Sequence, residues 1–355
     1  MIIESNDIDK NLDEDFLDRA VEPEFSQEQD QQENILRPKY LSDFQGQEEL
    51  KENLSIYIKA AKERGEALDH IFLQGPPGLG KTTLASIIAN EMGSEIKLTS
   101  ATALDKPKDL VGILTNLSKG SILFIDEIHG LKKSMEETLY IAMEDYEIDW
   151  VIGQGPAART MRIDLEPFTL IGATTRAGAV SKPLENRFGI PIKIDLYSPA
   201  ELSLIIERSA KILNVKISKD AVMKIAQCSR GTPRIANRIL RRVRDIASVM
   251  GDGKINLEMA ELGLEKLGID KNGLDKTDRA ILRTIIEVYE GGPVGLEALA
   301  ASINDASESI EVYYEPYLMR QGYLKRTTRG RCVTAKAYAA LDIKGGLDAN
   351  QGFLL

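Results

Sequence analysis

Gly75-Pro76-Pro77-Gly78-Leu79-Gly80-Lys81-Thr82 constrains this chain more than any other stretch. It fits the phosphate-loop pattern Gly-x4-Gly-Lys-Ser/Thr. Its context fits as well: Ile71-Phe72-Leu73 reads as a short buried strand, and Thr83 to Ala89 reads as a helix. In that setting the glycines let backbone N–H groups curl around phosphate oxygens, and the helix N-terminus adds a partial positive charge. Lys81 is then expected to reach the β- and γ-phosphates of ATP, and Thr82 to hold Mg2+. The plainer reading, a Gly-Pro turn before an ordinary helix, has to explain the whole motif as coincidence.

The next apolar runs predict a parallel α/β sheet around this loop. Glu95 to Thr99 is strand-like, and Ser121 to Ile125 is a very apolar strand ending in Asp126-Glu127, as a buried parallel strand would. Carboxylates at that end lie where α/β sheets place ligands. Asp126 suits Mg2+ held through water, and Glu127 suits activation of an attacking water. Phe168 to Ala173 is another buried strand closing in Thr174-Thr175, and Thr175 is the candidate to bond the attacking water or the γ-phosphate. Arg187, in the short stretch 183–189, either pairs with an acid on its own surface or, in a ring, reaches a neighbour's γ-phosphate as an arginine finger.

Residues 148–163 read as a β-hairpin and carry the only Trp, Trp150. Such an insert packs on its own domain or meets a partner. From Ser198 to about Leu267 the pattern is all-helical. Gly231-Thr232-Pro233-Arg234 opens one of these helices, with Thr232 placed to cap and Pro233 near the first position. Arg234 opposes the helix dipole there, so it is expected to serve an anion elsewhere. Three further helices and a strand–turn–strand at 323–334 suggest a winged helix. Six Lys/Arg and no acid fall between Pro316 and Ala340, the footprint of contact with a phosphate backbone; a merely solvated wing is the alternative.

Elsewhere charge is balanced. Of 55 acids and 45 bases, twelve and two fall in residues 1–34, leaving 43 of each in the rest and placing the net −10 in an acidic leader. That leader is expected to be disordered, either as a solubilising segment or as a docking one. Cys228 and Cys332 have no second Cys nearby, which argues against disulfides and zinc and fits a reducing cytosol. No apolar run approaches the ~20 residues a membrane span needs, and no secretory signal is visible.

Taken together, residues 35–340 resemble the RuvB family of bacterial Holliday-junction branch-migration ATPases, in the AAA+ superfamily. The resemblance rests on residues 36–39, 75–83, 124–129, 142–146, 153–159, 172–178, 187–189, 231–238, 291–296 and 329–331. The nucleotide motifs alone say only AAA+; the hairpin stretch, Gly291-Gly292-Pro293-Val294-Gly295-Leu296 and the basic wing are more specific. It implies an AAA+ P-loop domain (35–197, with the hairpin as an insert), a helical lid (198–270) and a winged-helix domain (271–342), followed by a tail. Leu36 and Arg37, with Asp145 and Tyr146, would line the adenine pocket, with Tyr197 nearby; Glu144 would also bind the nucleotide, alongside Gly78, Gly80, Lys81, Thr82 and Thr83 at the phosphates. Thr82 and Asp126 would hold Mg2+, Glu127 would be the base, and Thr175 and Arg234 the two sensors. Arg187 would be the finger. Ile148, Trp150 and Ile152 would dock the junction-binding partner RuvA, and Arg326, Arg329 and Arg331 would contact DNA.

The same resemblance implies a homohexameric ring on double-stranded DNA at Holliday junctions, a link to the RuvC resolvase, no membrane, and a cytoplasmic, nucleoid-associated place. The sequence departs from the family at Gly130, where Arg is usual, and at Thr328, where Pro is usual. A clamp loader or protein-remodelling AAA+ ATPase is the competing class, though it has no need of a basic wing. A non-enzymatic nucleotide-gated scaffold is a third, against which Glu127, Thr175 and Arg187 argue.

Overall fold

The computed structural model describes residues 35–152 and 159–344; the acidic leader, the hairpin tip and the end of the tail lie outside it. The chain divides into two compact units, residues 37–197 and the part from Ser198 onward, with Leu36 belonging to the second.

In the first unit the order is α1 (Glu48–Arg64), β1 (Ile71–Gln74), α2 (Lys81–Met92), β2 (Ile96–Ser100), α3 (Pro107–Leu114), β3 (Ile122–Asp126), α4 (Lys133–Glu144), the hairpin β4 (Glu147–Ile152) and β5 (Arg159–Asp164), β6 (Thr169–Thr174), α5 (Lys182–Glu185) and β7 (Ile190–Lys193). Five strands make one parallel sheet in the order β2-β3-β6-β1-β7. Along β1 and β3, odd and even positions are equally buried, from Ile71 and Phe72 to Phe124 and Ile125. Both faces are therefore covered, which is why these strands read as unbroken apolar runs. Phe72, Leu123, Ile125 and Leu170 share one core with Leu110 and Leu114 of α3 and Met135 and Leu139 of α4.

The topology decides where a ligand fits. After β1 the chain crosses to β2 on one side, and after β6 it crosses to β7 on the other. The loops leaving β1 and β6 diverge, opening a crevice at the C-terminal ends of these paired strands.

The second unit begins with four helices: α6 (Pro199–Ile212), α7 (Lys219–Gln227), α8 (Pro233–Met250) and α9 (Leu257–Lys266). Ser198 and Glu201 close a capping box at the start of α6. Thr232 does occupy the N-cap position of α8, but its hydroxyl makes no cap bond. It turns instead toward the Ser229 carbonyl, 3.5 Å away, a local backbone bond that competes with capping.

Next come α10 (Lys276–Glu287) and α11 (Leu296–Ile303). The third helix expected at 307–321 is a turn at Ser307–Ser309 running through a π turn, Ile310–Tyr314, into α12 (Glu315–Arg320). The hairpin β8 (Leu324–Thr327) and β9 (Gly330–Val333) and the helix α13 (Ala335–Ala340) complete the unit. Val294 bridges Arg331 and adds a third strand position to the wing. Leu282, Leu299, Leu318 and Val333 join these elements in one core. No helix among the described residues is long and apolar enough to cross a membrane.

Candidate active site

The phosphate loop leaves β1 at the crevice. Gly75, Gly78 and Gly80 all have positive φ. At Gly75 a side chain is impossible, because a Cβ would lie 2.5 Å from the Ile194 carbonyl oxygen. Close approach of backbone to backbone thus sets the start of the loop, and Gly80 in the left-handed region starts α2. Lys81 is buried, and its Nζ donates to the carbonyls of Gly75 (2.8 Å) and Pro76 (3.1 Å). The ammonium thus lies across the mouth of the loop. Thr82 and Thr83 follow on the first turn of α2, and the buried Tyr197 directs its hydroxyl toward the Leu79 carbonyl, 3.5 Å away.

Two strands supply the acids and hydroxyls. Gln74 of β1 pairs with Thr174 of β6, and the Gly75 N–H donates to the Thr174 carbonyl at 3.2 Å. Asp126 ends β3, which is β6's other neighbour. Glu127 follows in the left-handed region (φ 46), an uncommon and costly conformation for a non-glycine residue. Its carboxylate explains the geometry: Oε2 accepts from the Thr175 N–H (3.2 Å), and Thr175 Oγ1 donates to Oε1 and Oε2 at 3.2 and 3.0 Å. His129 Nδ1 stands 3.2 Å from Glu127 Oε2 and 2.9 Å from Thr174 Oγ1. In this structure Thr175 therefore holds the Glu127 carboxylate in place. Sequence reasoning assigned no role to His129 or Thr174, because their meeting needs β3 and β6 to be neighbours. Among the described residues, no three His, Cys, Asp or Glu side chains form a metal cage.

Three expected nucleotide contacts lie elsewhere. Tyr146 is packed against Phe168 (centroids 5.9 Å apart) and His70 (6.4 Å), immediately before the start of β1. Glu144 and Asp145 sit beside it at the end of α4. The phosphate loop leaves the other end of β1, four strand residues or roughly 13 Å away. Glu144, Asp145 and Tyr146 therefore do not share a pocket with their own phosphate loop, which corrects the expectation. Arg187 also lies away from its own phosphate loop. Ile190 starts β7 in register with Ile71, so Arg187 lies beyond the N-terminal edge of the sheet. Its guanidinium pairs with Glu144, with Nε 3.1 Å from Oε1 and Nη2 donating to Oε2 at 3.2 Å.

The buried Leu36 is anchored through its carbonyl, which accepts from Arg208 of α6 at 2.7 Å, while Arg37 is half-buried. Arg234 is exposed on the first turn of α8.

Two surface expectations change as well. Ile148 was expected to face a partner, but it is buried in the core with Phe168 and Leu139. Trp150 and Ile152 pair through the backbone with Met161 and Arg159; their side chains lie outside the description. Met161, opposite Trp150, is exposed. On the wing, Arg326 and Arg329 are exposed, but Arg331 is buried and its Nη2 donates to Glu315 Oε2 at 2.8 Å. Strand alternation is the reason: Arg331 shares its face with Val333, which belongs to the core. Arg326 is itself 3.3 Å from Glu311, so part of the wing's positive charge is matched by acids just outside the basic stretch.

Comparison with known proteins agrees on one family. Residues 36–194 match the model of the Holliday junction DNA helicase RuvB P-loop domain, 197–270 the RuvB AAA lid domain, and 271–342 the RuvB C-terminal winged helix domain. The chain is 59% identical over 332 residues to the Holliday junction branch migration complex subunit RuvB of Treponema denticola, covering 94% of this chain and 96% of that protein. It is 58% identical to the Borreliella burgdorferi protein of the same description, covering 91% and 94%. The solved Thermotoga maritima RuvB Holliday junction branch migration motor aligns with a TM-score of 0.81 at 51% identity, covering 88% of this chain and 99% of that one.

Proposed function

This chain belongs to the RuvB family, and from that premise we propose that it is an ATP-driven double-stranded DNA translocase that drives branch migration of Holliday junctions in recombination and repair. One observation carries the mechanism. The phosphate loop and the Glu127–Thr175 pair share one edge of the sheet, while Arg187 lies at the opposite edge. One copy cannot complete its own site, so a second must supply Arg187, as successive subunits of a ring do. A homohexamer is the ring we infer, with Glu144, Asp145 and Tyr146 facing the neighbour's nucleotide beside Arg187.

Within the site, the Gly75–Gly80 amides and Lys81 bind phosphate. Thr82 and Asp126 would hold Mg2+; one hydroxyl and few carboxylates suit an ion that keeps several waters and binds phosphate oxygens. When bound, the ion neutralises charge on the β- and γ-phosphates. Glu127, fixed by Thr175, accepts the proton of the attacking water. Arg234, on the lid, senses the γ-phosphate, and loss of that phosphate drives the domain movement that shifts DNA. Arg326 and Arg329 contact phosphates, so the grip on DNA is largely independent of sequence. Trp150 and Ile152 form the docking face for RuvA, with RuvC acting on the same junction. We place the protein in the bacterial cytoplasm, at the nucleoid.

The test is branch migration of a synthetic four-way junction, with and without RuvA. ATP-dependent separation of its arms, stimulated by RuvA and weakened steeply by salt, is expected. ATP turnover with no junction movement under either condition would favour a clamp-loading or protein-remodelling motor.

A further inference from the structure

Glu136, Tyr140 and Glu144 stand one turn apart on one face of α4. Together they build a bracket around Arg187. The guanidinium carbon lies 4.4 Å from the centroid of the Tyr140 ring. Nε and Nη2 face the Glu144 carboxylate, and Nη1 donates to the Pro183 carbonyl at 2.7 Å. The platform is itself fixed from behind. The Tyr140 hydroxyl donates to Glu136 Oε2 at 3.0 Å and stands 3.1 Å from Ser181 Oγ, which donates to the same Oε2 at 2.7 Å. Glu136 is buried and carries these two hydroxyl bonds on one oxygen.

A surface ion pair between Arg187 and Glu144 needs no such second layer, because exposed pairs form and break freely at little gain. A flat guanidinium on a ring that cannot turn is different. It confines a long cationic side chain to one plane and one direction. We propose that Tyr140 is a positioning residue: its ring, locked by Glu136 and Ser181, is the platform that aims Arg187 at the phosphates bound by the neighbouring copy, with Glu144 holding the guanidinium edge. This rests on Arg187 acting in trans, and the experiment separates the two ideas.

Three variants, Tyr140→Leu, Tyr140→Phe and Arg187→Ala, are assayed for DNA-stimulated ATP turnover, alone and mixed with Lys81→Ala chains. Tyr140→Leu is expected to lower kcat by about ten- to a hundredfold, the cost of misplacing an oriented group. Its KM and its binding of a fluorescent ATP analogue should stay within about twofold, since its own phosphate loop is untouched. Tyr140→Phe keeps the ring but loses the hydroxyl that locks it, and its kcat should fall between those of the native chain and Tyr140→Leu. Mixing should restore turnover to both Tyr140→Leu and Arg187→Ala, because a Lys81→Ala chain still presents a correctly aimed Arg187. A merely structural role for Tyr140 would damage the variant's own site, and no mixture would rescue it; that result, or a wild-type kcat for Tyr140→Leu, would overturn the proposal. Failure of Arg187→Ala to be rescued would instead remove the trans finger, and this proposal with it.

Discussion

Arg230, on the turn before α8, donates through Nη2 to Asp278 of α10, a carboxylate with no exposed surface. Its Nη1 donates to Asp275 at 2.8 Å, and its guanidinium lies 5.0 and 4.9 Å from the rings of Tyr314 and Tyr317. Four residues later stands Arg234. The turn that begins α8 is thus tied by a buried charge pair to the winged-helix elements. Removing one partner strands the other charge in the interior. Arg230→Met is expected to destabilise this unit by about 3–5 kcal/mol, measured by urea unfolding. A loss under about 1 kcal/mol, the worth of an exposed pair, would show that the bond is incidental.

Glu127→Gln should leave ATP binding intact and slow turnover by at least about a hundredfold, since the amide cannot accept the proton of water. Thr175→Val, which removes both hydroxyl bonds to Glu127, should act in the same direction. Single-turnover kinetics with radiolabelled ATP is the check. Unchanged turnover in Glu127→Gln would mean that another group is the base.

Trp150→Ala addresses the hairpin. Its strand is rooted by Ile148 in the core, and Arg162 ties both strands through ion pairs to Glu147 and Asp149. The variant should therefore fold, bind DNA as before, and lose stimulation by RuvA in the branch-migration assay. Loss of folding in circular dichroism would instead make Trp150 a packing residue.

His70 gives a pH signature. Its Nδ1 accepts from the Leu170 N–H at 2.9 Å, which leaves Nε2 to donate to the Met143 carbonyl at 3.1 Å, so the neutral imidazole is the one that fits. Burial pushes its pKa below the ordinary value, with the Met143 bond opposing. Below about pH 6.5 the unfolded chain then binds a proton that the folded chain resists, and stability falls as the pH drops. The slope from this one group is at most about 1.4 kcal/mol per pH unit. Urea midpoints between pH 7.5 and 5.5 should fall more steeply for the native chain than for His70→Asn. Parallel slopes would assign the acid sensitivity to other groups.

The phosphate loop, the acid pair after β3, the hydroxyls after β6 and the hairpin were all legible in the sequence. Each depends on a short window: glycines where φ is positive, an unbroken apolar run for a strand covered on both faces, alternation for a hairpin. The wing was legible as a hairpin, but the burial of Arg331 was visible only through its shared face with Val333, and its acid partner lies sixteen residues earlier in the chain. Only the tertiary structure decided that Glu144, Asp145, Tyr146 and Arg187 lie at the end of the sheet opposite the phosphate loop. Glu144, Asp145, Tyr146 and Arg187 sit with His70 at one end, and Lys81, Glu127 and Thr175 lie at the other. Strand order and direction are set by packing between residues up to about a hundred positions apart, such as Leu170 and His70. No local pattern encodes that arrangement, because it rests on contacts between segments far apart in the chain.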